Sequence, residues 1–242
     1  MRIVIELDQM NFATPAKKIL SNLSFEIQEG SFTVVIGENG SGKTTLLKLL
    51  MGLSQPSSGS ILVHGKVPSR DHPQDRLKIA YISEKLTPPM DWSASEFFAF
   101  NRFFYPHYSI ELEAELTKRL RVVRESRLGL LSAGELRRVQ VVAALAANPE
   151  ILFIDEITAV LDIVGRAKFN QILQELRKIN PKITILMATN ILDDVDEYAT
   201  HILLLNQGKL KFYTEKSSLL LTRPNLSLTR ILAHYIEEDL AE

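Results

Sequence analysis

Two short segments hold the residue types best suited to chemistry. The first is GENGSGKTT, running Gly37, Glu38, Asn39, Gly40, Ser41, Gly42, Lys43, Thr44 and Thr45. It fits the pattern G-x-x-x-x-G-K-[ST], and it lies between the apolar run FTVVI and the helical run LLKLLMGL, the strand-to-helix setting that gives the pattern a physical meaning. Gly40 and Gly42 allow the backbone to curl so that successive N–H groups point inward at a polyphosphate. The helix N-terminus beyond them adds about half a positive charge. Lys43 supplies a point charge for β and γ phosphates, and the Thr44 hydroxyl is placed to ligate Mg²⁺. The bland alternative is a glycine turn that binds nothing, but with 11 Gly in the whole chain a chance match in this setting is rare.

The second segment is the end of the apolar run ILFI, where Asp155 is followed by Glu156. A carboxylate at the carboxyl end of a buried strand beside a phosphate loop is placed to hold Mg²⁺, directly or through water. Glu156 can act as a general base on a water in line with the γ-phosphate. Neighbouring strand residues point to opposite faces, but where the chain turns at a strand end both can reach one site.

Strands must hold both segments in place. Short β-rich runs fill the first third: IVIEL (3–7), LSFEI (23–27), FTVVI (32–36), ILVHG (61–65) and IAYI (79–82). ILFI (151–154), ITILM (183–187) and HILLL (201–205) follow later. The runs at 33–36, 151–154 and 183–187 are apolar on both parities, as strands buried on both faces of a parallel sheet should be. Between the last two, Phe169, Ile172, Leu173, Leu176 and Ile179 recur at helical spacing, which predicts a βαβ unit. Residues 92–147 differ: they are aromatic and helical, with Leu112, Leu116 and Leu120 at i, i+4 spacing followed by Val123, and read as a helical insertion.

Composition excludes several classes of function. A chain of 242 residues with 45% hydrophobic content buries a real core. With 28 Lys+Arg against 29 Asp+Glu, no bulk field draws it onto nucleic acid or anionic lipid. There is no cysteine, which excludes disulfides, thiolate metal sites and a cysteine nucleophile. The N-terminus reads as a first strand rather than a signal peptide. The most apolar stretch, Val139 to Ala147, is about half the roughly 20 residues of a membrane span. A soluble chain is expected.

A third segment decides what the first two belong to. LSAGE (Leu131, Ser132, Ala133, Gly134, Glu135) opens a helical run, LRRVQVVAALAANP, that leads straight into ILFIDE. Alone it is a helix start, with Ser132 as N-cap and Glu135 closing a capping box. Together with the other two segments and their spacing, it makes the chain resemble the nucleotide-binding subunits of ABC transporters over nearly its whole length. LSAGE is similar to that family's signature, LSGGQ, with Ala133 and Glu135 substituted and Ser132 and Gly134 kept.

The resemblance implies an α/β fold: a P-loop NTPase core with a mixed sheet, an N-terminal antiparallel β subdomain and an inserted α-helical subdomain. Residues 1–84 and 148–208 would form the ATPase core and about 85–147 the helical part. Residues 209–242 would be a short C-terminal extension with a packing helix around Leu219 to Leu221. It implies ATP and Mg²⁺ as ligands and a second copy or close relative as partner, since each signature motif completes the opposite subunit's ATP site. Leu161 and Asp162 match the D-loop, which crosses that interface. Phe12 stands where the family stacks an aromatic on adenine, although a core-facing Phe is an equal reading.

Two positions depart from the family pattern. Glu84, in YISEKL, replaces a glutamine that touches Mg²⁺ and water; a carboxylate can still ligate the ion. Asn190, in MATN, replaces a switch histidine; it can donate one hydrogen bond to the γ-phosphate or N-cap the run LDDVDEY, and it cannot be protonated. Slower hydrolysis is expected. Ile157, where a proline is common, carries no reading. The Glu84 loop and the FYP segment resemble subunits paired with separate exporter-type permeases. The expected protein is therefore an ATPase at the cytoplasmic face of the cell membrane, driving integral permease subunits, with no nucleic-acid partner. The aromatics of MDWSASEFFAFNRFFYPHY read either as core or as a groove for that partner. The competing readings are a non-transport ABC ATPase and a slow-hydrolysing, ATP-gated structural subunit.

Overall fold

The computed structural model describes residues 2–83, 85–156, 163–192, 195 and 199–238. Glu84, Leu161 and Asp162 therefore lie outside the described residues.

Alternation of side chains explains the centre of the molecule. Strand β3 (Phe32–Ile36) turns Phe32, Val34 and Ile36 to one core cluster and Val35 to another. The same split recurs in β6 (Ile151–Asp155), β7 (Thr184–Thr189) and β8 (His201–Asn206). Leu152, Ile154, Ile185, Met187, Ile202 and Leu204 face the first cluster, and Phe153, Leu186, Leu203 and Leu205 the second. With β5 (Ile79–Ser83), these strands run parallel in the order β8-β3-β7-β6-β5. A strand covered on both faces needs an apolar side chain at every position, which is why these runs lack polar alternation.

The covers differ on the two faces. Helix α1 (Lys43–Leu50) lays Leu46, Leu47, Leu49 and Leu50 on the second face, beside an antiparallel unit of β1 (Ile3–Ala13), β2 (Lys18–Gln28) and β4 (Ser58–Val63). Helices α4 (Ala133–Ala146) and α5 (Ile163–Ile179) cover the first face. On α5, Phe169, Ile172, Leu173 and Leu176 are buried as their spacing predicts, whereas Ile179, at the last turn, is 78% exposed. Between β5 and β6 the chain is helical: α2 (Ala94–Phe104) and α3 (Ile110–Arg119) precede α4. Leu116 and Leu120 are buried, and Val123, beyond the end of α3, is exposed.

The fold class read from sequence is the one observed, with two differences of extent. β1 and β2 run 11 residues each, past the apolar runs that signal them. Their ladder shifts register around Gln9 (φ 46°), where a bulge lets pairing continue through polar residues. The second difference is β9 (Lys209–Glu215), antiparallel to β8 across a tight turn at Gln207–Gly208 with both φ values positive. It joins the two halves of the sheet, pairing Lys209 with Ser21 of β2. Its half-buried KLKFYTE pattern lacks the apolar run of the central strands, so sequence reading passes over it. Two helices follow, α6 (Lys216–Thr222) and α7 (Leu228–Glu238); Leu219, Leu228, Ile231 and Leu232 pack on the first face.

Candidate active site

The carboxyl ends of the parallel strands converge on one polar cleft. Its volume is about 430 Å³, and Asn39, Gly40, Gly42, Lys43, Thr44, Thr45 and Glu156 line it together with Lys17, Ile19 and Lys85. The glycine loop leaves β3 and enters α1 through Gly42, whose φ of 104° is the left-handed conformation that a side chain would strain. A Cβ there would also meet Leu20 at 2.4 Å, and one on Gly37 would meet the Leu205 carbonyl at 2.2 Å. The loop is thus pressed against β2 and the end of β8, and the Gly208 amide donates to the Ser41 carbonyl.

Lys43 is almost fully buried and donates to the carbonyls of Gly37 (2.7 Å) and Glu38 (3.0 Å), so its ammonium is held inside the curl of the loop. Burial pushes its pKa down; the carboxylates of Glu156 and Asp155 pull it back up, and Lys85 opposes them.

Asp155 ends β6, 1% exposed, with both carboxylate oxygens engaged. Thr44 Oγ1 donates to Oδ1 and Tyr81 Oη to Oδ2, each at 3.0 Å. Burial, together with the charge of Asp155, raises the Tyr81 pKa, so the phenol stays a donor. The Thr44 hydroxyl beside a buried carboxylate is an all-oxygen donor pair, the chemistry a hard cation such as Mg²⁺ requires.

Glu156, one residue on, has φ of 55°, uncommon for a side chain of this size. Its amide donates to the Ala188 carbonyl of β7, fixing the turn. That turn is how a residue adjacent to Asp155 reaches the same cleft. Its carboxylate lies 3.8 Å from Lys85 Nζ.

The remaining sequence-predicted residues fall in three places. Asn190 follows β7 and is exposed; its Nδ2 donates to Asn39 Oδ1 of the glycine loop at 3.3 Å. Phe12 is half-buried on the second core cluster, paired across the β1–β2 ladder with Leu20, while Lys17 and Ile19 form the nearby cleft wall. Ser132 caps α4 in a capping box: its Oγ accepts from the Glu135 amide at 3.3 Å, and Glu135 Oε2 accepts from the Ser132 amide at 2.9 Å. None of Leu131, Ser132, Ala133, Gly134 and Glu135 lines the cleft, and a Cβ on Gly134 would meet nothing within 4 Å.

Lys17, Ile19, Tyr81 and Lys85 are the site residues that sequence reading missed. None belongs to a motif; the sheet order alone brings them in. For Lys85 there was one signal, its place beside Glu84.

A second recess, about 330 Å³ and mostly apolar, separates the core from the helical part. Met51, Leu53, Leu86, Phe97 and Tyr105 are among its walls. Elsewhere on α2, Phe100, Phe103 and Phe104 are exposed, Phe103 by 84%, in a chain of ring contacts that begins at Trp92. Phe98, by contrast, is buried core. The aromatics of this stretch therefore divide between buried core and exposed surface.

A family model described as ABC transporter matches residues 20–159. The zinc uptake system ATP-binding protein ZurA of Listeria innocua is 28% identical over 230 residues, covering 86% of this chain and 84% of that protein. The energy-coupling factor transporter ATP-binding protein EcfA2 of Ligilactobacillus salivarius is 31% identical over 225 residues, covering 85% and 77%. A solved structure described as the ATP binding subunit of an ABC transporter superposes with a TM-score of 0.85 over 96% of this chain and 98% of that one. At 24% identity it speaks for the fold.

Proposed function

The chain belongs to the ABC transporter family, and from that premise we propose that it is the ATP-hydrolysing subunit of a membrane translocator, working as a head-to-tail pair closed on two ATP molecules. One observation carries the pairing. The glycine loop and Glu156 line a cleft, with Asp155 bonded behind Thr44, that no signature residue lines, while Gly134 stands in the first turn of α4 with open space over it. Glycine in a helix costs about 0.5–1 kcal/mol against alanine, and among the described residues no close approach to Gly134 offsets that cost. A phosphate on a facing subunit would use the space.

In this reading Lys43 and the loop amides bind the β and γ phosphates. Thr44 and Asp155 hold Mg²⁺, which when bound neutralises charge on the phosphate oxygens. Tyr81 orients the Asp155 carboxylate. Glu156 accepts the proton of the attacking water. Asn190 donates to the γ-phosphate and, through Asn39, ties its loop to the phosphate loop. Phe12 and Ile19 form the adenine wall. Ser132 and Gly134 of one subunit cover the γ-phosphate of the other. Glu84, as a contact to Mg²⁺ and water, and Leu161 and Asp162, as interface residues, are proposed from their sequence positions. The permease docks at the apolar recess, on the cytoplasmic face. Among the described residues no helix is long and apolar enough to cross a membrane, so the membrane path belongs to that partner.

Two of the relatives carry names from uptake and energy-coupling systems, whereas the carboxylate at residue 84 and the FYP segment favour an exporter-type permease. We keep the exporter pairing as the finer proposal. The competing slow-hydrolysing subunit is favoured by Asn190, which cannot take a proton.

The test is Glu156→Gln. Turnover should fall by roughly 10²–10⁴-fold, the range of a lost general base, while MgATP drives the variant into a dimer visible by size exclusion. Hydrolysis at the wild-type rate, or a monomer at saturating MgATP, would overturn the reading.

A further inference from the structure

Lys85 lines the cleft beside Glu156. Among the described residues three cations line this cleft: Lys43 from α1, Lys17 just before β2, and Lys85 from the loop after β5. Lys43 is committed to two loop carbonyls. The Lys85 side chain is 68% exposed, with Nζ 3.8 Å from Glu156 Oε2 and within electrostatic reach of Lys43. Lys43, Thr44 and Glu156 mark the end of the cleft where a terminal phosphate belongs, and Lys85 stands at that end.

Its backbone is firmly placed. The Lys85 amide donates to Ser83 Oγ at 3.1 Å. On either side, α4 holds the loop: Arg137 Nη1 donates to the Ser83 carbonyl at 2.9 Å and Gln140 Nε2 to the Leu86 carbonyl at 2.7 Å. Both side chains are buried, and Arg137 also donates to Gln140. The ammonium extends from a base fixed to the helix that carries the signature.

We propose that Lys85 is a γ-phosphate ligand of this ATP site, exchanging the single charge of Glu156 for the denser charge of the terminal phosphate and supplying the positive charge that Asn190 cannot carry. The proposal rests on the ATP-site reading above and extends it. The exchange follows from Coulomb's law: a terminal phosphate carries more charge than one carboxylate and offers several oxygens. It also releases Glu156 to act as a base at the moment a γ-phosphate arrives. ADP lacks that group, so Lys85 discriminates between the two nucleotides.

The experiment measures binding of the non-hydrolysable analogue adenylyl imidodiphosphate and of ADP, each with Mg²⁺, to the full-length protein. Lys85→Ala should weaken the analogue about tenfold, the scale of one charge-assisted hydrogen bond, and leave ADP affinity as it was. Lys85→Arg should keep the preference, and Lys85→Ala combined with Asn190→His should restore most of it. Equal weakening of both nucleotides, an unchanged preference in Lys85→Ala, or no recovery in the double variant would each overturn the proposal. Failure of the wild-type protein to bind either nucleotide would instead overturn the ATP-site reading itself. Lys85 is mostly solvated, so a folding defect is not expected; thermal midpoints verify this for each variant.

Discussion

A single carboxylate shows how much one residue's surroundings decide. Asp155 accepts from Thr44 and from Tyr81 at 3.0 Å each, so Tyr81→Phe removes one of the two donors that orient it. Partners of this kind are worth roughly 10–100-fold in metal affinity or activity. Tyr81→Phe should therefore raise the Mg²⁺ concentration for half-maximal hydrolysis about tenfold, and a superimposable Mg²⁺ titration would show the phenol to be mere packing. Gly134 supplies the complementary case. Gly134→Ala meets no atom of its own chain and should raise the thermal midpoint by about 1–3 °C through helix propensity. Turnover should nonetheless drop about tenfold, as when a donor to developing charge is displaced. A stabilised variant with full activity would remove the argument that another subunit's phosphate approaches there. The glycine loop, Asp155 and Glu156 were legible because their chemistry is local: one strand, one turn, one helix start. Lys17, Ile19 and Lys85, which line the cleft, and Tyr81, which holds Asp155 across the β5–β6 pair, were not, since strand order brings them there and no short spacing encodes it. The capping box at Ser132 was legible too, and the cap uses the side chain and first-turn amide while leaving Gly134 open.

Among the helices, the insertion is held by a buried ion cluster as much as by its apolar face. Glu113 of α3, 1% exposed, accepts from Arg124 (2.6 Å), Tyr108 (2.8 Å) and Arg102 (3.0 Å), tying α3 to the end of α2 and to the loop after α3. Burial alone would raise the Glu113 pKa, but the hydrogen bonds from Tyr108, Arg102 and Arg124 outweigh it and hold the carboxyl below its ordinary value. A depressed carboxyl pKa contributes stability above the unfolded value, and that contribution is lost as pH falls through the folded one. Glu113→Gln should cost about 2 kcal/mol near neutral pH, below the range for a broken buried pair because both arginines keep contact with water. The gap to wild type should narrow as the pH falls below the ordinary carboxyl range, a trend that denaturant titrations at several pH values would reveal. A cost independent of pH would assign the effect to packing. Sequence reading recovered α3 from Leu112, Leu116 and Leu120, yet gave no sign of this cluster, whose partners are tied by side chains rather than by period. It missed β9 for a related reason. A half-buried strand of the sequence KLKFYTE owes its place to pairing with β8, and pairing is a non-local property.

At the scale of the whole molecule, two surfaces lack an explanation among the described residues: the open turn at Gly134, and the aromatic face of α2. The second is the less expected, because it leaves three large rings exposed together. Phe103, 84% exposed, Phe104 and Phe100 form a continuous ring contact on α2. The apolar recess opens between the core and the helices, where the walls include Leu86 from the Lys85 loop. A partner seated there would press on the loop that Arg137 and Gln140 fasten to α4. Partner position and signature-helix position would then be one mechanical variable. Aromatic anchors at such a surface contribute about 2 kcal/mol or more each when buried by a partner. Phe103→Glu removes one anchor and places a charge against the partner, and at this exposure the fold should be indifferent to it. If the proposed permease docks there, the variant should pass from the membrane fraction to the soluble fraction and lose the integral subunit expected to copurify with wild type. Retention of the variant on membranes with its partner would move the docking surface elsewhere. In that event Leu86→Asp, inside the recess, separates a partner that uses the recess alone from one that uses neither.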